Sequence, residues 1–125
     1  MNNSRKESRK KLMAFTPVYE IKHKILLGYV GDLTLKGAMV IGEKSAEIDK
    51  QLVLGIEFPE APPTTKAVRV VIPSRVAWCR QDENPLYFNI GFEFTDISAE
   101  NLKVIEAILE RFQFRNVMSV SDLQP

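Results

Sequence analysis

The sequence holds a single cysteine, Cys79, and a single histidine, His23. One thiol excludes an intramolecular disulfide, and one thiol with one imidazole falls short of the ligands a His/Cys zinc site requires. No apolar run approaches the roughly 20 residues that span a bilayer. The basic start of the chain is followed only by Leu12-Met13-Ala14-Phe15 before Thr16-Pro17 interrupts, which is too short for the core of a secretory signal. A cytoplasmic protein without membrane insertion is therefore expected. Glycine patterns that cradle phosphate are missing too, since neither Walker A nor dinucleotide G-x-G-x-x-G spacing occurs. Nothing pairs a nucleophile with a base. His23 has no serine or cysteine near it in sequence and reads as structural, Cys79 has only Arg80 beside it to lower its pKa, and Asp82-Glu83 lie in a turn where solvation explains them. The expectation is a protein with no catalytic residues, no metal and no cofactor.

What is present fits one globular domain: 125 residues, 45% hydrophobic and 26% charged, with seven Phe, three Tyr and one Trp to fill a core. The net charge of +1 hides an asymmetry. Residues 1–11 carry Arg5, Lys6, Arg9, Lys10 and Lys11 against Glu7 alone, a surplus of four, so the remaining 114 residues sum to −3. Positive charge gathered on one arm attracts an anion that the net charge would not suggest, although from charge alone a solvated terminus is the favoured account.

Hydropathy alternates over most of the rest. Tyr19, Ile21, His23, Ile25, Leu27 and Tyr29 share one parity, which predicts a long half-buried first strand, broken by Gly28 and Gly31. A second strand starts within Val30 to Thr34, and Lys36-Gly37 turns the chain into a short third at Ala38–Ile41. Glu43 to Lys50 reads as a loop or one helical turn, and Leu52, Leu54, Ile56 and Phe58 mark a fourth strand. Pro59, Pro62 and Pro63 make the next stretch a rigid loop, because proline lacks the amide donor a ladder needs. Val68, Val70, Ile72, Val76 and Trp78 predict a fifth strand facing one way across a bend at Pro73-Ser74, with Cys79 on the opposite, solvent-reachable parity. Leu86, Phe88, Ile90, Phe92 and Phe94 give the clearest strand. Ser98 then caps a helix whose apolar face is Leu102, Ile105, Ile108, Leu109 and Phe112. Six antiparallel strands and one terminal helix predict an all-β fold, a closed six-stranded antiparallel barrel or a strongly curled sheet with the helix (98–112) packed on it. The chain divides into a basic arm (1–11), a barrel with its helix (12–112) and a polar tail (113–125).

Two motifs carry chemistry. Arg5 and Arg9 stand four residues apart, a weak signal by itself, since Arg111 and Arg115 repeat the spacing. Asp32-Leu33-Thr34-Leu35-Lys36-Gly37 places an acid, a hydroxyl and a glycine at positions one, three and six. Side chains two apart on a strand project to one side, so Asp32 and Thr34 can touch one ligand together. A carboxylate accepts the paired N1 and N2 donors of a guanine edge, the hydroxyl can donate or accept, and Gly37 lets the backbone turn or approach closely. Arginine supplies the complement by forking onto guanine O6 and N7 or onto phosphate and by stacking on a purine.

An R-x-x-x-R arm followed by D-x-T-x-x-G in an all-β chain resembles the PilZ domain, the bacterial receptor module for cyclic di-GMP. The resemblance runs from Arg5 to about Phe112 and includes Phe88-Asn89-Ile90-Gly91-Phe92-Glu93-Phe94, which looks like the family's aromatic-x-x-Gly-x-x-Phe strand before its last helix. It implies a barrel of the PilZ-like, split-barrel type whose arm folds across the outside of the sheet. It further implies that Arg5 and Arg9 clasp cyclic di-GMP while Asp32, Thr34 and Gly37 meet guanine. Apart from the resemblance, the charge of Lys6, Lys10 and Lys11 offers long-range electrostatic support for two phosphates, although exposed lysines most often make no specific contact. Thr34 stands where the family usually has serine, which adds a methyl and keeps the hydroxyl. Ser4, in place of a third arginine, points to one ligand molecule rather than a stacked pair.

The function this implies is a receptor or adaptor whose arm orders over cyclic di-GMP and signals to a protein partner, the chain being a monomer or a homodimer. The alternative is a degenerate PilZ-like protein-interaction module that does not bind nucleotide. Binding of a nucleic acid polymer is a third reading, disfavoured by the −3 body, which offers no long cationic groove.

Overall fold

The computed structural model describes residues 16–59 and 67–110. Six strands, β1 (Pro17–Glu20), β2 (Ile25–Leu33), β3 (Gly37–Gly42), β4 (Gln51–Phe58), β5 (Val68–Gln81) and β6 (Phe88–Phe94), close in the order β1-β2-β3-β6-β5-β4, and every pairing is antiparallel. A helix, α1, occupies residues 99–110. The all-β barrel with one C-terminal helix is thus the architecture that the alternation predicts. Closure leaves no long strand edge open among the described residues.

The core is built of branched aliphatics. Val18, Val30, Val40, Leu54, Ile56, Val70, Ile72 and Val76 are fully or almost fully buried inside the barrel together with Ile90 and Phe92. Burial of each such side chain stabilises by about 1.5–3 kcal/mol before entropy is counted. From α1, Ile105 and Ile108 complete the same cluster, and Leu109 packs against it. The cap is the expected one: Ser98 Oγ accepts from the Asn101 amide at 3.1 Å, and Ser98 O accepts from Leu102 N at 2.9 Å. Asn101 in turn donates its side-chain amide to Val71 O at 2.9 Å, which ties α1 to β5.

The expected long first strand is two strands. Residues 21–24 form a turn, Lys24 takes a positive φ of 56°, and β1 and β2 fold back as a hairpin. Inward positions on β1 are Val18 and Glu20, so the parity read from Tyr19 is reversed there. His23 is exposed in that turn, its Nδ1 2.8 Å from the Glu20 carboxylate. Gly28 and Gly31 lie within β2, where the register with β3 slips between Val30 and Asp32. On β5 the irregularity falls between Val76 and Trp78 instead of at Pro73-Ser74. One extra residue flips everything after it. Ser74 and Val76 face the core, Trp78 leaves it, and Cys79 packs against it with its sulfur 3.5 Å from the Ala46 amide. Leu86, read as the first residue of the last strand, sits in the preceding turn and is 70% exposed.

Candidate functional site

The D-x-T-x-x-G segment is the hairpin between β2 and β3. Its shape is set by Thr34, which lies one residue beyond β2. Thr34 Oγ1 accepts from the amides of Lys36 and Gly37, both at 3.1 Å, and donates to Gly37 O at 3.3 Å, while Thr34 N donates to the same carbonyl at 2.9 Å. The hydroxyl proton and both lone pairs are engaged inside the turn. A second tether comes from β6, where the Phe94 amide donates to Lys36 O at 2.8 Å. Gly37 pairs with Glu93, and a Cβ at Gly37 would run into the Phe92 carbonyl, so only glycine lets the two strands meet here. Asp32 is half-buried at the end of β2, and its Oδ1 accepts from the Leu33 amide at 2.9 Å.

These residues border one shallow groove of about 300 Å³. It runs over β2, β3, β6 and β5, with Asp32, Thr34, Lys36 and Gly37 along one side and Met39, Gly91, Trp78 and Glu93 completing it. Asp32 and Thr34 do share this surface, as period-two projection predicts, even though Thr34 is no longer in a strand. Trp78 forms part of the lining because β6 offers no side chain beneath it. A Cβ on Gly91 would lie within the indole, so glycine at this register position lets the ring rest flat on the sheet. The Arg80 guanidinium sits 4.6 Å from the centre of the ring. Beside the groove, Arg75 bridges Glu93 and Asp49. Its Nε and Nη2 donate to Glu93 Oε1 at 3.1 and 2.7 Å, and its Nη1 donates to Asp49 Oδ1 at 2.6 Å. The guanidinium pKa is raised, first by the hydrogen bond to Glu93 and then by that to Asp49.

Arg5, Arg9, Lys6, Lys10 and Lys11 lie outside the described residues, as do the tail at 113–125 and the end of the expected helix at Phe112. Among the predicted site residues the structure therefore brings Asp32, Thr34 and Gly37 together. It adds Lys36, Met39, Trp78, Gly91 and Glu93, which sequence reasoning did not assign to a site. The one signal for Trp78 and Glu93 was register, which alternation alone does not give. No three His, Cys, Asp or Glu side chains gather to hold a metal ion among the described residues. No helix there is long and apolar enough to cross a membrane.

The described chain is thus a closed six-stranded barrel with a shallow groove on its outer sheet, bordered by Asp32, Thr34, Trp78 and Glu93. A family model for the PilZ domain matches residues 3–111, and the chain belongs to that family, the cyclic di-GMP receptor modules. No curated protein and no solved structure matches the chain.

Proposed function

We propose that this protein is a receptor and adaptor for cyclic di-GMP, held in the groove over β2, β3, β6 and β5. The observation that carries the reading is the convergence of Asp32, the Thr34-shaped turn and Trp78 on one surface of a chain whose family match also spans Arg5 and Arg9. In this reading Asp32 accepts the N1 and N2 donors of a guanine, and Trp78 offers an indole for base contact. Gly37 lets the ligand approach the backbone. Thr34 contributes by holding the turn, since its hydroxyl is already engaged there.

The basic arm (1–11) closes on the dianion through Arg5 and Arg9, with Lys6, Lys10 and Lys11 attracting it at longer range. Fixing several arm residues costs roughly 1–2 kcal/mol each. A charge-assisted hydrogen bond returns about 1.5–3 kcal/mol, so both arginines and a stacked base have to share in offsetting that cost. Binding is the whole act in this proposal. No covalent step occurs, the ordered arm is the changed surface, and a cytoplasmic protein partner reads it from the monomer or homodimer.

Calorimetric titration with cyclic di-GMP tests the proposal. Arg5→Ala, Arg9→Ala and Asp32→Ala are each expected to abolish the heat of binding while far-UV dichroism stays that of the parent. Unchanged binding in all three rejects the site, and a parent that gives no heat favours the alternative, a PilZ-like module that docks proteins without nucleotide.

A further inference from the structure

Arg75 and Glu93 are used by nothing in the reading above, yet Glu93 lines the same groove as Asp32. Register fixes how far apart they stand. Asp32 pairs with Met39, Met39 with Gly91, and Gly37 with Glu93, so the two acids are separated by two strand spacings and two residues along the strand. That is about 12 Å between Cα atoms. The side chains do not close this gap: Arg75, directly across from Glu93 on β5, draws the Glu93 carboxylate away from β2, and Asp32 turns Oδ1 onto its own neighbour's amide. Between them lie Met39, Gly91 and, to one side, Trp78.

One guanine carries its N1 and N2 donors on a single edge and cannot reach both carboxylates. A ligand with two guanines can. We infer that Glu93 is a second base-reading residue, taking the base that Asp32 does not, and that Arg75 is the residue that positions it; this rests on the proposed binding of cyclic di-GMP. Arg75 makes the role possible in two ways. Its fork occupies Oε1 alone, which leaves the two lone pairs of Oε2, enough for the N1 and N2 hydrogens of one guanine. Its charge, shared with Asp49, offsets part of that of Glu93 and so lowers the repulsion between this carboxylate and a ligand with two phosphates. An adenine in the same place presents an N1 acceptor, and two acceptors face each other with no proton between them. The pair therefore selects a two-guanine ligand against one that carries a single guanine.

The test compares cyclic di-GMP with the mixed cyclic GMP–AMP dinucleotide by calorimetry. The parent is expected to favour cyclic di-GMP by about tenfold, the loss that follows from leaving one charged acceptor unpaired beneath the bound ligand. Glu93→Ala should weaken cyclic di-GMP by about tenfold and bring the two ligands within about threefold of each other. Glu93→Gln keeps the shape and adds an N–H that can serve adenine N1, so it should strengthen the mixed ligand relative to cyclic di-GMP. The side chain is half-exposed, and far-UV dichroism checks that each variant folds. If Asp32→Ala loses binding while Glu93→Ala keeps the parent's preference, the inference is overturned and the proposed function stands. If the parent binds neither ligand, both fall together.

Discussion

The barrel presents two concave regions of opposite character. The groove on its outside is about 300 Å³, whereas a cavity of about 1280 Å³ is bordered by β2, the 43–50 loop and Tyr87. The larger one is lined by Leu27, Val30, Ile41, Leu52, Ile90 and Phe92, much of it the inner wall of the barrel. Exposed Ile25, Leu26 and Tyr29 stand at its rim. Its ionisable lining is Glu43, Lys44, Glu47 and Lys50, two of each sign on one loop, which offers a dianion no net attraction. The groove is small but has fixed directional groups, an acid at each side and an indole between. Volume follows from where six strands splay apart; recognition follows from where polar groups are held by other polar groups.

The largest expected contrast is in ligand binding. Asp32→Ala in the groove should cost about a hundredfold or more in affinity for cyclic di-GMP, while Leu26→Ser at the cavity rim should leave it within about twofold, because only the first removes an acceptor facing the ligand. Titration of both variants breaks the comparison if the order is reversed.

Next in size is Gly91→Ala. The added methyl has to displace the Trp78 ring, since it would sit inside it. About 1–3 kcal/mol of stability should be lost as the indole lifts from the sheet. Trp78, the one tryptophan in the chain, should shift its emission to the red, and affinity should fall with it. An unshifted spectrum would show that the ring does not rest on β6. The equivalent change on the cavity side has no such reporter, which sharpens the contrast between a wall made by packing and a floor made by one glycine.

The same residues show what a single sequence can and cannot disclose. β6 was legible because Ile90 and Phe92 point inward without a slip across its whole pairing with β3, and α1 because Ser98 and the Ile105/Ile108 spacing state its start and its face. The Tyr19–Tyr29 stretch misled because its turn uses Lys24 at positive φ, with no glycine or asparagine to announce it. Trp78 misled because a bulge leaves no mark in a hydropathy pattern and yet exchanges inside for outside. Asp32, Thr34 and Gly37 could be found since they are close in the chain. Glu93 and Arg75 could not, because they meet only across a ladder and are 18 residues apart. The local half of the groove was readable and the cross-strand half was not.

A smaller effect belongs to the connection between the two regions. Arg75 holds Glu93 of the groove with two nitrogens and Asp49 of the 43–50 loop with a third, and that loop is pinned to β5 by Asp49 N to Val76 O at 2.8 Å and Val76 N to Lys50 O at 2.9 Å. Asp49 takes a φ of 71°, a left-handed conformation that the surrounding bonds must hold in place. Arg75→Met keeps much of the aliphatic stem and removes the fork. Amide exchange at Asp49 should then quicken by about three- to tenfold, as a hydrogen-bonded exposed loop loses one anchor, with the core strands β4 and β5 unchanged. The hydrogen bonds to Glu93 and then Asp49 raise the guanidinium pKa above its ordinary value, so deprotonation of Arg75 is not what releases the fork.

The smallest effect is the control. Leu86 is 70% exposed in the turn before β6, and its backbone amide, not its side chain, donates to Asn84 Oδ1 at 3.0 Å. Leu86→Ser keeps that bond and removes only solvent-exposed apolar surface, so urea unfolding should move by no more than about 0.5 kcal/mol. The neighbouring Asn89 is the opposite case, since its side-chain amide donates to Asp82 Oδ1 at 3.0 Å and ties the turn to β6. Asn89→Ala should therefore cost more than Leu86→Ser, about 1–2 kcal/mol, by removing the bond from β6 to Asp82 of the turn. A larger loss at Leu86 than at Asn89 would mean that this end of the barrel is held by apolar contact in solution rather than by the hydrogen bonds that close its turns.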